Sequence, residues 1–231
     1  MALLARERPV LELLRDVERE ALIGEGAERW YGDGQQAVAE GDTTAFVVVI
    51  LSGWVAASVV TERGGRLILA IRGANDIVGD LAAIDGRPRS ATLSSIGKTR
   101  TMIVPGDRFR HFLMRYPVAS QVFLRTLGAR LRDSDTERRA LVSFTLIQRL
   151  ARLLGEFADR GGISTPEGIA IHLSLAQQDL AASVGATREG AAKALRVLRE
   201  SGAILTSPRR VVVARRDLLD LLGAGSGGFI V

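Results

Sequence analysis

The chain has 231 residues, with 31 Lys plus Arg against 26 Asp plus Glu, two His and no Cys. That length suits about two compact domains, and a net charge of +5 is too modest to mark a nucleic-acid-binding protein by itself. The missing cysteines exclude disulfides, thiolate-held clusters and cysteine nucleophiles, while His111 and His172 lie too far apart to form a metal-ligand motif, so neither a catalytic nor a metal site is expected.

Residues 1–7 carry no signal-peptide pattern and no apolar run is long enough to span a bilayer, so a cytoplasmic protein without membrane attachment is expected. Residues 21–105 read as a β-rich domain of short apolar runs separated by glycine and charged turns. One strand is expected over 46–51, ended by Ser52 and Gly53, another over 54–60, and a third over 66–71. Strands at such regular spacing predict a roll, barrel or sandwich.

Within this domain, residues 79–91 have the chemistry of a small phosphate pocket. Gly79 permits close backbone approach, residues 81–84 form a helical turn with free amides, and Arg89 with Ser90 adds a charge and a hydroxyl. The alternative is a salt-bridged loop in which Arg89 pairs with Asp80 or Asp85. A long helix follows over about 117–144. Its Leu124, Leu127, Leu131, Ser134, Arg138 and Leu141 recur in alternating threes and fours, either as a coiled-coil seam or as a face packed on its own domain.

Residues 161–168 read as a loop or hairpin, and His172 has a structural role. Residues 175–184 then form a short Ala/Leu-rich helix, broken at Gly185, and Thr187 is a suitable N-cap for a second helix over 188–201. Ala191, Leu195 and Leu198 face the core, leaving Arg188, Glu189, Lys193 and Arg196 largely outside the apolar stripe. Arginine and lysine donate to guanine O6 and N7, and glutamate accepts from cytosine N4. Taken alone, this helix could be an ordinary amphipathic one with solvated charges. The next segment favours DNA: 202–206 and 211–213 are strands around the basic turn 207–210, which completes a winged helix-turn-helix with Arg209 and Arg210 placed for phosphate contacts. A flexible glycine-rich tail closes the chain.

With these motifs in place, nearly the whole chain resembles the cyclic-AMP receptor protein and fumarate-nitrate regulator (Crp/Fnr) family of transcription regulators. The resemblance implies an α+β fold: a cyclic-nucleotide-binding β-roll over 1–116, a long dimerisation helix and hinge over 117–145, a winged helix-turn-helix over 146–223 and a tail over 224–231. Residues 79–91 are similar to the family's phosphate-binding cassette. That similarity implies that Asp80 takes the ribose 2′-hydroxyl and Arg89 the cyclic phosphate, aided by Ser90 and backbone amides, with Gly79, Leu81 and Ala91 completing the cassette. Where the family usually has glutamate, this chain has Asp80.

The resemblance also places Ser134 and Asp135 at the nucleotide base. A carboxylate there accepts from N1–H and the N2 amine of guanine or from the exocyclic amine of adenine, so cyclic AMP and cyclic GMP are both expected effectors. Arg130, one turn earlier, braces Asp80 or lies near the phosphate. Arg188, Glu189 and Lys193 correspond to the base-reading positions, with Gln177, Gln178, Thr187, Arg209 and Arg210 completing the DNA-binding set. The implied partners are a second copy of the chain, a palindromic double-stranded operator whose successive major grooves lie about 34 Å apart, and RNA polymerase. No permanent cofactor is implied. Two other readings stand beside the nucleotide-controlled regulator. One is a regulator of the same fold that is effector-independent or answers another ligand. The other, more distant, is a phosphate-handling enzyme at Arg89, for which no nucleophile with a positioned base is present.

Overall fold

The structure is a computed structural model that describes residues 8–62, 64–171, 177–207 and 210–224. The chain divides inside its longest helix into an N-terminal unit ending at Asp133 and a C-terminal unit beginning at Ser134.

The N-terminal unit runs α1 (Val10–Leu13), α2 (Asp16–Gly24), β1 (Ala27–Tyr31), β2 (Gln36–Val38), β3 (Val47–Val60), β4 (Arg66–Arg72), β5 (Ile77–Val78), α3 (Asp80–Asp85), β6 (Thr92–Val104), α4 (Gly106–Arg115) and the first part of α5 (Pro117–Ser143). Its antiparallel sheet has the order β1-β6-β3-β4, with β2 also on β6 and β5 also on β3. The apolar run at the start of β3 follows from its position between two layers. Val47 and Val49 join α1, α2, α4 and α5 in one cluster with Phe109 and Phe123, while Val48 and Ile50 point into a second cluster with Val38, Val55 and Leu93. A strand covered on both faces needs no polar alternation.

Two strands expected over 46–51 and 54–60 are one. Gly53 is a bulge rather than a turn: its φ is +86° and the β3–β6 register shifts on either side of Ser52, so the strand bends and continues. A Cβ at Gly53 would lie 2.7 Å from the Lys98 carbonyl oxygen, which leaves no room for a side chain. Residues 21–24, expected at the edge of the β-rich region, finish helix α2.

The C-terminal unit takes the rest of α5, then α6 (Leu146–Gly161), β7 (Gly162–Thr165), β8 (Gly168–Ile171), α7 (Gln177–Ser183), α8 (Arg188–Glu200), β9 (Ile204–Ser207), β10 (Arg210–Val213) and α9 (Arg216–Ala224). A small antiparallel sheet has the order β7-β8-β10-β9. Helix α6 starts with a capping box in which Gln148 N donates to Thr145 Oγ1 at 3.4 Å and Thr145 N donates to Gln148 Oε1 at 2.8 Å. It buries Leu150, Leu153, Leu154 and Phe157, and α8 contributes Ala191, Ala194, Leu195 and Leu198 to the buried interior of the same unit. The expected hairpin near 161–168 is β7 and β8. Leu175, Ala176, His172, Arg209 and residues 225–231 of the expected tail lie outside the described residues, whereas Ala224 ends α9.

Phe109 is fully buried and meets Phe123 edge-on, with ring centroids 5.1 Å apart. Phe109→Ala removes that ring from the core beneath β3 and is expected to destabilise the protein by about 3–5 kcal/mol, measured by urea unfolding.

Candidate functional site

The cassette is built by two left-handed glycines and an inward-turned arginine. Gly79 (φ +76°) and Gly86 (φ +70°) bracket α3. A Cβ at Gly79 would sit 2.7 Å from Arg89 Nη1, so glycine is required both by the backbone and by the guanidinium beside it. The far end of the cassette is fastened to the loop before β3: Arg89 N donates to Asp42 O at 2.8 Å and Gly41 N donates to Arg89 O at 2.9 Å.

Arg89 pairs with neither Asp80 nor Asp85. Its Nη1 donates to Gly79 O at 2.7 Å, Nη2 to Phe46 O at 2.6 Å and Nε to Thr44 Oγ1 at 3.2 Å, and the group lies 4.8 Å from the centre of the Phe46 ring. The residue is only 4% exposed, and among the described residues no carboxylate comes within ion-pair distance of it. Burial pulls the guanidinium below its ordinary pKa, against the weaker attraction of Asp42 and Asp80. Ser90 beside it is exposed, Ala91 is half-buried and Leu81 is exposed.

Asp80 belongs to a separate charge network. Arg130 Nη1 donates to its Oδ1 at 3.1 Å and its Oδ2 at 2.9 Å, so Arg130 braces Asp80. Arg130 Nη2 reaches Ile77 O at 2.7 Å and Asp76 Oδ1 at 3.2 Å. On the other side of Asp76, Arg72 Nε lies 3.4 Å from Oδ2. Arg72, Asp76 and Asp80 are all buried. Burial lowers the Arg72 pKa, opposed first by Asp76. The turn between β4 and β5 sets this geometry: Asn75 takes a left-handed φ of 68°, and Ile50 N donates to Asp76 O at 2.9 Å, tying the turn to β3. The sequence reading singled out neither Arg72 nor Asp76. The available signal was an arginine closing an apolar strand four residues before an aspartate.

Ser134 and Asp135 fall in the C-terminal unit. Both are exposed, and Asp135 accepts from Arg138 Nη1 at 3.4 Å.

On α8, Thr187 Oγ1 accepts from Gly190 N at 3.1 Å as the N-cap, and Gly185 (φ +61°) makes the corner. Arg188, Glu189, Lys193 and Arg196 are exposed, and none of their side chains is hydrogen-bonded or ion-paired to another described residue. Gln178 is exposed on α7; Gln177 opens that helix. Arg210 lies in β10, not in the turn, and its Nη2 is 3.4 Å from Glu167 Oε2. Helix α8 therefore offers unengaged donors and an acceptor on one face, the requirement for reading base edges.

Two family models match: the cyclic nucleotide-binding domain over residues 28–116 and the Crp-like helix-turn-helix domain over residues 148–222. The CRP-like cAMP-activated global transcriptional regulator of Mycobacterium tuberculosis is 30% identical over 188 residues, covering 80% of this chain and 83% of that protein. The chain belongs to the Crp/Fnr family of transcription regulators. Another Crp/Fnr relative, the global nitrogen regulator of Synechococcus elongatus, is 27% identical over 215 residues, 91% of this chain and 95% of that one. Among solved structures, a CooA mutant from Carboxydothermus hydrogenoformans shares the fold with a TM-score of 0.75 at 21% identity, over 96% of this chain and 98% of that one. The Crp/Fnr fold thus accounts for the mixed architecture of roll, long helix and helix-turn-helix.

Arg130→Ala leaves the Asp80 and Asp76 carboxylates buried with one cation fewer. It is expected to cost about 3–5 kcal/mol of stability in equilibrium denaturation.

Proposed function

We propose that this Crp/Fnr regulator works in the cytoplasm as a homodimer controlled by a cyclic nucleotide, cyclic AMP or cyclic GMP, bound in the N-terminal roll. The observation that carries this reading is Arg89: a guanidinium removed from water and held by neutral acceptors, with no carboxylate within ion-pair distance among the described residues. A buried cation in that state is stabilised by an arriving anion. A cyclic phosphate supplies the negative charge, and Arg89 retains N–H groups beyond the three already used. The exposed Ser90 hydroxyl adds a further donor, and Gly79, Leu81 and Ala91 frame the same segment. Base recognition is assigned to Ser134 and Asp135 from the family pattern.

For self-association the support is α5, on which Leu124 and Leu131, one heptad apart, are 67% and 63% exposed. Two copies then present two α8 helices to a palindromic operator. Arg188 reads guanine, Glu189 accepts from cytosine, and Lys193 acts as a point charge without the bidentate fork of arginine. Thr187, Gln177 and Gln178 are assigned to the DNA-binding set from the family pattern, Arg209 and Arg210 are assigned to the phosphates in the same way, and RNA polymerase is the further partner. Effector and operator are linked because the nucleotide favours the DNA-competent state only to the extent that it binds that state more tightly.

A second reading has its own support: the Arg89 donors that would meet a phosphate already hold the carbonyls of Gly79 and Phe46, as in a pocket that needs no effector. Isothermal titration calorimetry of the dimer with cyclic AMP and cyclic GMP separates the two. Micromolar or tighter binding of one nucleotide is expected, weakened at least about tenfold by Arg89→Ala. No binding of either nucleotide would leave the effector-independent reading.

A further inference from the structure

Helix α8 is longer than base reading needs. Its 13 residues rise about 20 Å, whereas the major groove is about 8.5 Å deep. With the first turn at the base edges, the later turns stand toward the rim of the groove, where the phosphates are. Arg196 and Arg199 follow Arg188 by eight and eleven residues, about 12 and 16 Å further along the axis. At about 100° per residue both fall within a quarter turn of Arg188, on the same side of the helix.

Arg196 and Arg199 are exposed, and neither side chain is hydrogen-bonded or ion-paired to another described residue. Acids of suitable spacing are present: Glu189 precedes Lys193 by four residues and Glu200 follows Arg196 by four, the spacing of helical ion pairs. Neither pair closes, so these cations remain open to an outside partner. They also share a cleft. A cavity of about 450 Å³ is lined by Lys193, Arg196 and Arg199 from α8 and by Thr206 from β9, with Glu189 as its one carboxylate. Thr206 is one residue pair away from Ser207 and Arg210, the pair that leads into the basic turn, so the cleft sits between the recognition helix and the wing. Three cations and a hydroxyl against one carboxylate suit an anion with several acceptor oxygens.

We propose that this cleft seats a backbone phosphate of the operator, with Arg196 and Arg199 donating to its oxygens and Thr206 Oγ1 as a further donor. Such a contact adds affinity and fixes register without reading bases. It rests on the DNA-binding reading above and extends it from the first turn of α8 to its last.

A phosphate contact releases counter-ions, so the salt dependence of binding reports it directly. The test is fluorescence anisotropy of the full-length protein, with cyclic AMP and cyclic GMP present, on a duplex selected by the protein from a random pool and on a scrambled duplex of equal length. Arg196→Ala and Arg199→Ala are each expected to weaken both duplexes by a similar factor, at least about fivefold at about 0.1 M salt. Each also makes the slope of log K against log salt shallower by about 1.8, because a dimer loses two contacts. Arg199→Lys keeps most of the affinity, since lysine still meets a phosphate as a point charge. Both side chains are exposed, so the variants keep the wild-type melting temperature. Wild-type affinity and slope in both alanine variants overturn the inference and leave the cleft to another occupant, such as an acidic protein surface. A loss confined to the selected duplex also overturns it, because the arginines are then reading bases. Wild-type protein that binds neither duplex defeats the DNA-binding reading itself, and the inference falls with it.

Discussion

An arginine guanidinium taken out of water must find either an opposite charge or uncharged acceptors, and the N-terminal unit meets that constraint in both ways. Arg72 and Arg130 find the opposite charges of Asp76 and Asp80. Arg89 finds acceptors only, two backbone carbonyls and the Thr44 hydroxyl. The first solution carries its own counter-charges. The second lacks a counter-ion, and a group in that condition is where an anion gains the most.

This difference separates the part of the roll that carries its own counter-charges from the part that does not. The ion pairs of Arg72 and Arg130 link β4, the β4–β5 turn, α3 and α5, so the long helix is fixed to the roll by charge as well as by Phe123 and Phe109. In the C-terminal unit the logic is reversed. The charges of α8 are exposed and unengaged, its apolar stripe is buried, and its first turn is closed by Thr187. Side chains kept free of internal partners can change partners on binding at little cost, as reading base edges requires.

Much of this was legible in the sequence because its signals are local. The corner at Gly185, the cap at Thr187 and the stripe of Ala191, Leu195 and Leu198 each lie within one helical turn of the features they define, and the spacing from Gly79 to Arg89 marks the cassette. What escaped depends on long-range pairing. Gly53 reads as a turn until β6 is seen to follow β3 across it, since a bulge and a hairpin share the same glycine. Arg72 and Asp76 gain their meaning from Arg130, more than fifty residues away in the chain. Likewise, the inward turn of Arg89 depends on the Phe46 carbonyl and the Thr44 hydroxyl, and no local pattern around residue 89 announces them. Helix α6 had a legible capping box, Thr145 with Gln148, yet its role follows from the sheet and helices packed around it.

The central claim is that filling the counter-ion site at Arg89 changes the affinity of α8 for DNA. The most direct test is fluorescence anisotropy on a palindromic duplex selected by the protein from a random pool, at one fixed salt concentration, with and without saturating cyclic nucleotide. Nucleotide is expected to tighten binding by about 5–150-fold, the usual range of allosteric coupling, and Arg89→Ala is expected to abolish that response while leaving unliganded binding unchanged. Equal affinity with and without nucleotide would contradict it.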